Sequence, residues 1–282
     1  MSQNYLNLLI NELESRWDEI TTLLKAAEDH KETNVALHDA ICRSVTVLMV
    51  ANLEGFYKDL IRNTIDDLND NYRFNELSEA IQRHYCSKFL DSQSTDKAKN
   101  TLTNILIEEF KALNSNINFK PFLYSKNNNP KPQVIETLFD NLGINIVFQV
   151  LKSSRYELVF SEGNSYLEDK ISEYTYELHN YSLNFPYQYT SKSFNILTNT
   201  SKQRKERTLW EEFLDQLNKR RHEVAHGNDL RNIDSVENLT FQKNKIIFLQ
   251  LALIHIIIEE FGTYTAIYHP RSIPLVSMLV LN

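Results

Sequence analysis

Over most of this chain apolar residues recur every three or four positions, the spacing of one buried helical face. Leu6, Leu9, Ile10, Leu13, Trp17, Ile20 and Leu24 predict an amphipathic helix over roughly residues 3–29. A second stripe, Leu37, Ile41, Val45, Leu48, Leu53, Phe56, Leu60 and Ile65, predicts a long helix over about 34–70. Shorter helices follow near 75–90 and 96–114, the latter carrying Leu102, Ile105, Leu106, Phe110 and Leu113.

The pattern then breaks. Residues 114–132 are rich in Asn, Lys and Pro, and proline's fixed φ and missing N–H keep NNNPKP out of regular structure. A short helix is expected at 133–142, stopped by Gly143. Residues 144–160 read equally as helix or strand, 166–180 read as helix, and 181–201 read as a Tyr-, Asn- and Ser-rich loop. Leu209, Trp210, Phe213, Leu214 and Leu217 restore a helical face that runs to Gly227. Asp234 or Ser235 is placed to cap a last helix reaching about Tyr264. The apolar tail IPLVSMLVLN is expected to dock on the body or on a second subunit.

These elements describe an all-α chain with two helical blocks, about 1–114 and 202–265. The second would expose a wide apolar face alone, so the two are expected to pack as one domain over 1–282, with an irregular insertion at 115–201. Five glycines and six prolines in 282 residues agree with long helices. The net charge of −7 gives no global attraction to nucleic acid, so any RNA contact needs a local basic patch. Cys42 and Cys86 fall in apolar-periodic segments and read as reduced core thiols. The charged, amphipathic N-terminus does not read as a signal peptide. The most apolar run, 246–258, contains Gln250 and His255 and falls short of the roughly 20 residues of a membrane span. A cytoplasmic protein without a membrane partner is expected.

Residues 221–227, RHEVAHG, carry the candidate chemistry. His222, Glu223 and His226 spell H-E-x-x-H, in which two histidines one turn apart hold zinc and the glutamate activates water. Against that, Arg220 and Arg221 set two positive charges beside the metal position, Gly227 ends the helix, and no third ligand follows at a recognisable spacing. No metal or other cofactor is therefore expected. The other reading pairs Arg221 with His226. Five residues apart on a helix, they diverge by about 140° in projection, so one chain alone forms no compact site. Two copies across a two-fold axis would pool two Arg and two His in one cleft. Metal-free RNA cleavage needs that equipment: a base for the 2′-OH, a cation for the phosphorane and an acid for the leaving 5′-oxygen. A capping histidine before a helix-ending glycine is the bland alternative.

LNKRRHEVAHG resembles the RN-x-I-A-HG signature of HEPN domains, with His222 at the polar place after the arginine and Val224-Ala225 for Ile-Ala. VANLEGFYKDLI, with Glu54, Gly55, Phe56 and Lys58, resembles the W-E-G-F-x-K segment of the MAE-type HEPN subgroup; Asn52-Leu53 replace the usual aromatic pair. The resemblance covers about 35–70 and 205–262. It implies an all-α HEPN-type bundle that dimerises and acts as a metal-independent endoribonuclease in toxin–antitoxin, phage-defence or abortive-infection systems. Arg221 and His226 would be catalytic, His222 would assist, and Glu54 would orient Arg221 or His226. RNA would be the substrate, and an antitoxin or other defence protein a candidate partner. Arg207, Lys219 and Arg220, with Lys202, Arg204 and Lys205, form the candidate RNA-binding patch, diluted by Glu206, Glu211, Glu212 and Asp215. Tyr174, Tyr176, Tyr181, Tyr187 and Tyr189 could stack on bases or pack the insertion. A HEPN module that binds a nucleotide or partner without cutting is the alternative function.

Overall fold

The computed structural model describes residues 4–90, 95–123, 130–194, 206–227 and 233–265. The first predicted helix is split into α1 (Tyr5–Glu12) and α2 (Asp18–His30) by a 3-10 turn at Ser15–Trp17. Its periodicity is correct, since Leu6, Leu9, Ile10, Leu13, Trp17, Ile20 and Leu24 are all buried. The break has a polar cause. At the turn Trp17 donates from Nε1 to Gln250 at 3.0 Å, and Asn52 donates to the Arg16 carbonyl at 2.6 Å. The Arg16 carbonyl, which an unbroken helix would bond within itself, is thereby spent on a tertiary bond.

Helix α3 (Val35–Asn71) is the long element expected; the Asn34 side chain caps it by accepting from the Leu37 N–H at 3.1 Å. Part of it is long and apolar enough to cross a membrane by composition alone. Its buried positions from Cys42 to Leu68 pack against α1, α2 and the two C-terminal helices. Helices α4 (Glu79–Ser87) and α5 (Asp96–Leu113) follow.

The segment expected as an irregular insertion contains the two helices expected within it, near 133–142 and 166–180, and further helix between them. It holds α6 (Pro132–Asn141), α7 (Val147–Lys152), a 3-10 stretch at Arg155–Phe160 and α8 (Asn164–Tyr181). Pro132 is no obstacle because it opens α6, where an N–H has no helical partner to lose. The ambiguous stretch 144–160 resolves into α7 and that 3-10 stretch with no strand, and the Tyr-rich loop contains a short strand, β1 (Tyr187–Tyr189). The chain continues through α9 (Leu209–Ala225), α10 (Val236–Phe261) and β2 (Gly262–Tyr264), which pairs in parallel with β1. The tail after Thr265 lies outside the described residues.

Helix α10 is the axis of the bundle. From Phe248 to Ile258 every residue is buried, so no polar face remains, and α8, α3, α2 and β1 surround it. The insertion thus supplies core through α8. Asp67 ties the layers: it accepts from the Tyr5 N–H at 2.7 Å, the Leu6 N–H at 3.0 Å and the Tyr187 hydroxyl at 2.7 Å. It satisfies two free amides at the start of α1 and the buried phenol of β1 at once. Burial raises its pKa despite these three bonds.

Candidate functional site

Helix α9 is fixed at its start by a reciprocal cap. Thr208 Oγ1 accepts from the Glu211 N–H at 3.2 Å, and Glu211 accepts from the Thr208 N–H at 2.8 Å. Trp210, Leu214, Leu217 and Asn218 face inward, and Asn218 donates to the Pro130 carbonyl at 3.0 Å. These anchors leave the last turn, Arg221 to Ala225, projecting from the core. His226 is the C-cap residue, its N–H bonded to the His222 carbonyl at 3.1 Å, and Gly227 follows with φ +69°. Among the described residues a Cβ at Gly227 would meet nothing within 4 Å, so it is the left-handed backbone that favours glycine there.

The imidazoles of His222 and His226 are exposed and lie against each other, ring centroids 4.2 Å apart with 52° between the planes. Arg221 is half-buried, and no carboxylate pairs with it among the described residues. Its neighbour differs. Arg220 donates from Nε to Asp234 at 2.8 Å and approaches Glu223 at 3.8 Å. Asp234, one of two expected caps for α10, instead clamps the start of that helix to the end of α9; Ser235 makes the cap, accepting from the Asn238 N–H at 3.2 Å.

The predicted basic patch is therefore leaner than its sequence. Arg207 pairs with Asp215, and Lys219 stands 3.9 Å from Glu223. Lys202, Arg204 and Lys205 lie outside the described residues. Tyr174, Tyr181, Tyr187 and Tyr189 are buried and pack the fold, so only Tyr176, 72 % exposed, is free to meet a base.

Glu54 has another partner. It accepts from Lys58 at 2.8 Å on the same face of α3, and none of the contacts among the described residues joins it to Arg221 or His226. The H-E-x-x-H reading also lacks support in the donor set: Glu223 faces Lys219 and Arg220, and among the described residues no group of three His, Cys, Asp or Glu side chains converges. Cys42 and Cys86 are buried, free thiols, and burial pushes Cys86 up to about 11. Neither is set up as a nucleophile.

The sequence model of the family described as RiboL-PSP-HEPN matches residues 11–262, which takes in every described helix except the first turns of α1. No curated protein and no solved structure matches the chain.

Proposed function

The chain belongs to the RiboL-PSP-HEPN family, and from that premise we propose that it is a metal-independent endoribonuclease of the toxin or defence type. This is a HEPN superfamily assignment under a different subgroup description from the MAE-type one expected. The all-α bundle agrees with it. HEPN modules are often ribonucleases, and the motif carries the rest of the reading. The observation that supports it best is the contrast between adjacent arginines: Arg220 pairs with Asp234, whereas Arg221 has no carboxylate among the described residues, in the same helical turn as two exposed histidines whose rings meet.

In the proposed reaction two copies meet at the α9 ends and place the RNA backbone between them. His226 takes the proton of a ribose 2′-OH as the oxygen attacks the adjacent phosphorus. The Arg221 guanidiniums of the two copies neutralise the crowded phosphorane. The P–O5′ bond breaks, and the partner subunit's His226 returns a proton to the leaving oxygen. The products are a 2′,3′-cyclic phosphate and a 5′-hydroxyl. His222, its ring against His226, holds that imidazole in place rather than adding a third proton carrier. The proposal places the enzyme in the cytoplasm as a homodimer, with an antitoxin or other defence protein as its partner.

The deciding experiment expresses the wild type beside His226→Ala and Arg221→Ala and maps RNA 5′-hydroxyl ends by sequencing. Each substitution should reduce cleavage by at least about 100-fold, the scale of losing an acid–base group or a charge-stabilising donor, while the chain stays folded. Full cleavage by either variant defeats the assignment.

A further inference from the structure

A groove of about 410 Å³ opens between α9 and α10 beside the motif. Phe213, Gln216 and Lys219 line it from α9; Phe241, Gln242 and Lys245 line it from α10. The Arg220–Asp234 pair closes its end where the two helices are clamped. Lys219, Glu223 and His226 follow one another at four- and three-residue spacing, so they share one edge of α9. His226 therefore stands one turn past Glu223, about 4.5 Å along the axis, and the groove runs into the acid–base end of the helix.

Its walls carry a cation without an anion. The Lys245 ammonium lies 4.2 Å from the centre of the Phe241 ring, 5.3 Å from that of Phe160 and 5.9 Å from that of Phe213. No carboxylate pairs with it among the described residues, and burial lowers its pKa. A lysine partly stripped of water and held over ring faces gains from an incoming phosphate. The half-buried faces of Phe213 and Phe241 suit a flat base, and the Gln216 and Gln242 amides can donate to and accept from its edge. The volume falls in the range of small-ligand sites and accommodates one nucleotide.

We propose that this groove is a subsite for the unpaired nucleotide adjoining the scissile linkage: its base lies against Phe241, the two glutamines read its edge, and Lys245 takes its phosphate. The proposal rests on the ribonuclease reading for its place in the reaction, but its test does not require cleavage. Binding of a fluorescein-labelled single-stranded RNA hexamer of mixed sequence is measured by anisotropy on His226→Ala chains with and without Lys245→Gln, Gln242→Ala or Phe241→Leu. The leucine variant keeps most of the apolar volume, so lost stacking is separated from lost folding. Each change should weaken binding by roughly five- to tenfold, the lower end of losing one stacked base or one charged contact. In the active chain, Gln242→Ala should also redistribute 5′-hydroxyl ends among the four flanking bases. Binding and end positions unchanged by all three would overturn the groove while leaving the ribonuclease intact. RNA binding that drops with Lys245→Gln in a wild-type chain that cuts nothing would support the groove and sink the ribonuclease.

Discussion

Arg220 Nε donates to Asp234 Oδ2 across the junction of α9 and α10, at 2.8 Å, with both side chains mostly shielded from water. Arg221, one position on, has no such partner among the described residues. Two neighbouring arginines thus carry separable duties. Arg220→Ala should destabilise the fold by about 1–3 kcal/mol, because Asp234 is left without its charged donor. Arg221→Ala should cost less, about 0.5 kcal/mol, because this half-buried side chain holds no carboxylate among the described residues. Urea denaturation of both variants checks this; equal losses would mean that the arginines share one role.

The division was not legible in RRHE. Asp234 is fourteen residues away and reads as a helix cap, so the sequence shows a run of charge without showing which charges cancel. What the sequence does show is periodicity, because a buried face must repeat with the helix. Every apolar residue predicted for the first helix is buried, and α3 and α10 run nearly as expected. The break at Trp17 stayed hidden because its cause, Gln250, lies 233 residues away. Helix α8 was legible at 166–180, but its packing was not: Leu167, Tyr174 and Leu178 seat it on α10, which follows far along the chain. The signal for the α9–α10 groove was slight, a lysine at 245 immediately before the most apolar run.

Gly227 sets where the chain leaves the histidines. With φ at +69° and, among the described residues, open space around a would-be Cβ, it is backbone strain that opposes a side chain. Gly227→Ala should cost about 1 kcal/mol, and Gly227→Asn should recover part of it, since asparagine tolerates the left-handed region. Melting temperatures rank the three chains. Alanine as stable as glycine would show that the turn relaxes freely.

Gly262 answers to a different constraint. Its φ of −111° suits any residue, but a Cβ would fall 2.3 Å from the Ile258 carbonyl oxygen and 2.7 Å from that of Tyr187. Both obstacles are backbone, so neither can swing aside. Gly262→Ala should force β1 and β2 apart and cost about 1–3 kcal/mol, as overpacking does. Faster amide exchange at Tyr189 and Thr265, whose N–H donates to the Tyr189 carbonyl at 2.8 Å, would locate the damage. A variant with wild-type exchange there would contradict the argument.

Acid should attack the core at His255. Its ring is fully buried; Nδ1 lies 3.0 Å from the Tyr156 hydroxyl and 3.5 Å from the Arg155 guanidinium, and Nε2 lies 3.4 Å from Glu259. Burial first, and the Arg155 charge second, push His255 down to about 3. An unfolded histidine titrates near 6.5. As pH falls below that value the unfolded chain therefore takes up a proton that the folded chain refuses, and stability is lost down to about pH 3, at up to about 1.4 kcal/mol per pH unit. Glu259 works in the opposite sense: burial raises its pKa, so the folded chain protonates it before the unfolded chain does and regains stability as pH approaches 4.5. Arg155 keeps its charge against Glu177, and Tyr156 stays neutral, so neither adds to the slope. The histidine effect should accordingly be clearest between pH 6.5 and 5. Chemical denaturation across that interval should show wild-type stability falling with acid and His255→Gln falling less steeply, the remaining slope coming from His84, whose pKa burial also lowers. Parallel curves for the two proteins would place the acid sensitivity elsewhere.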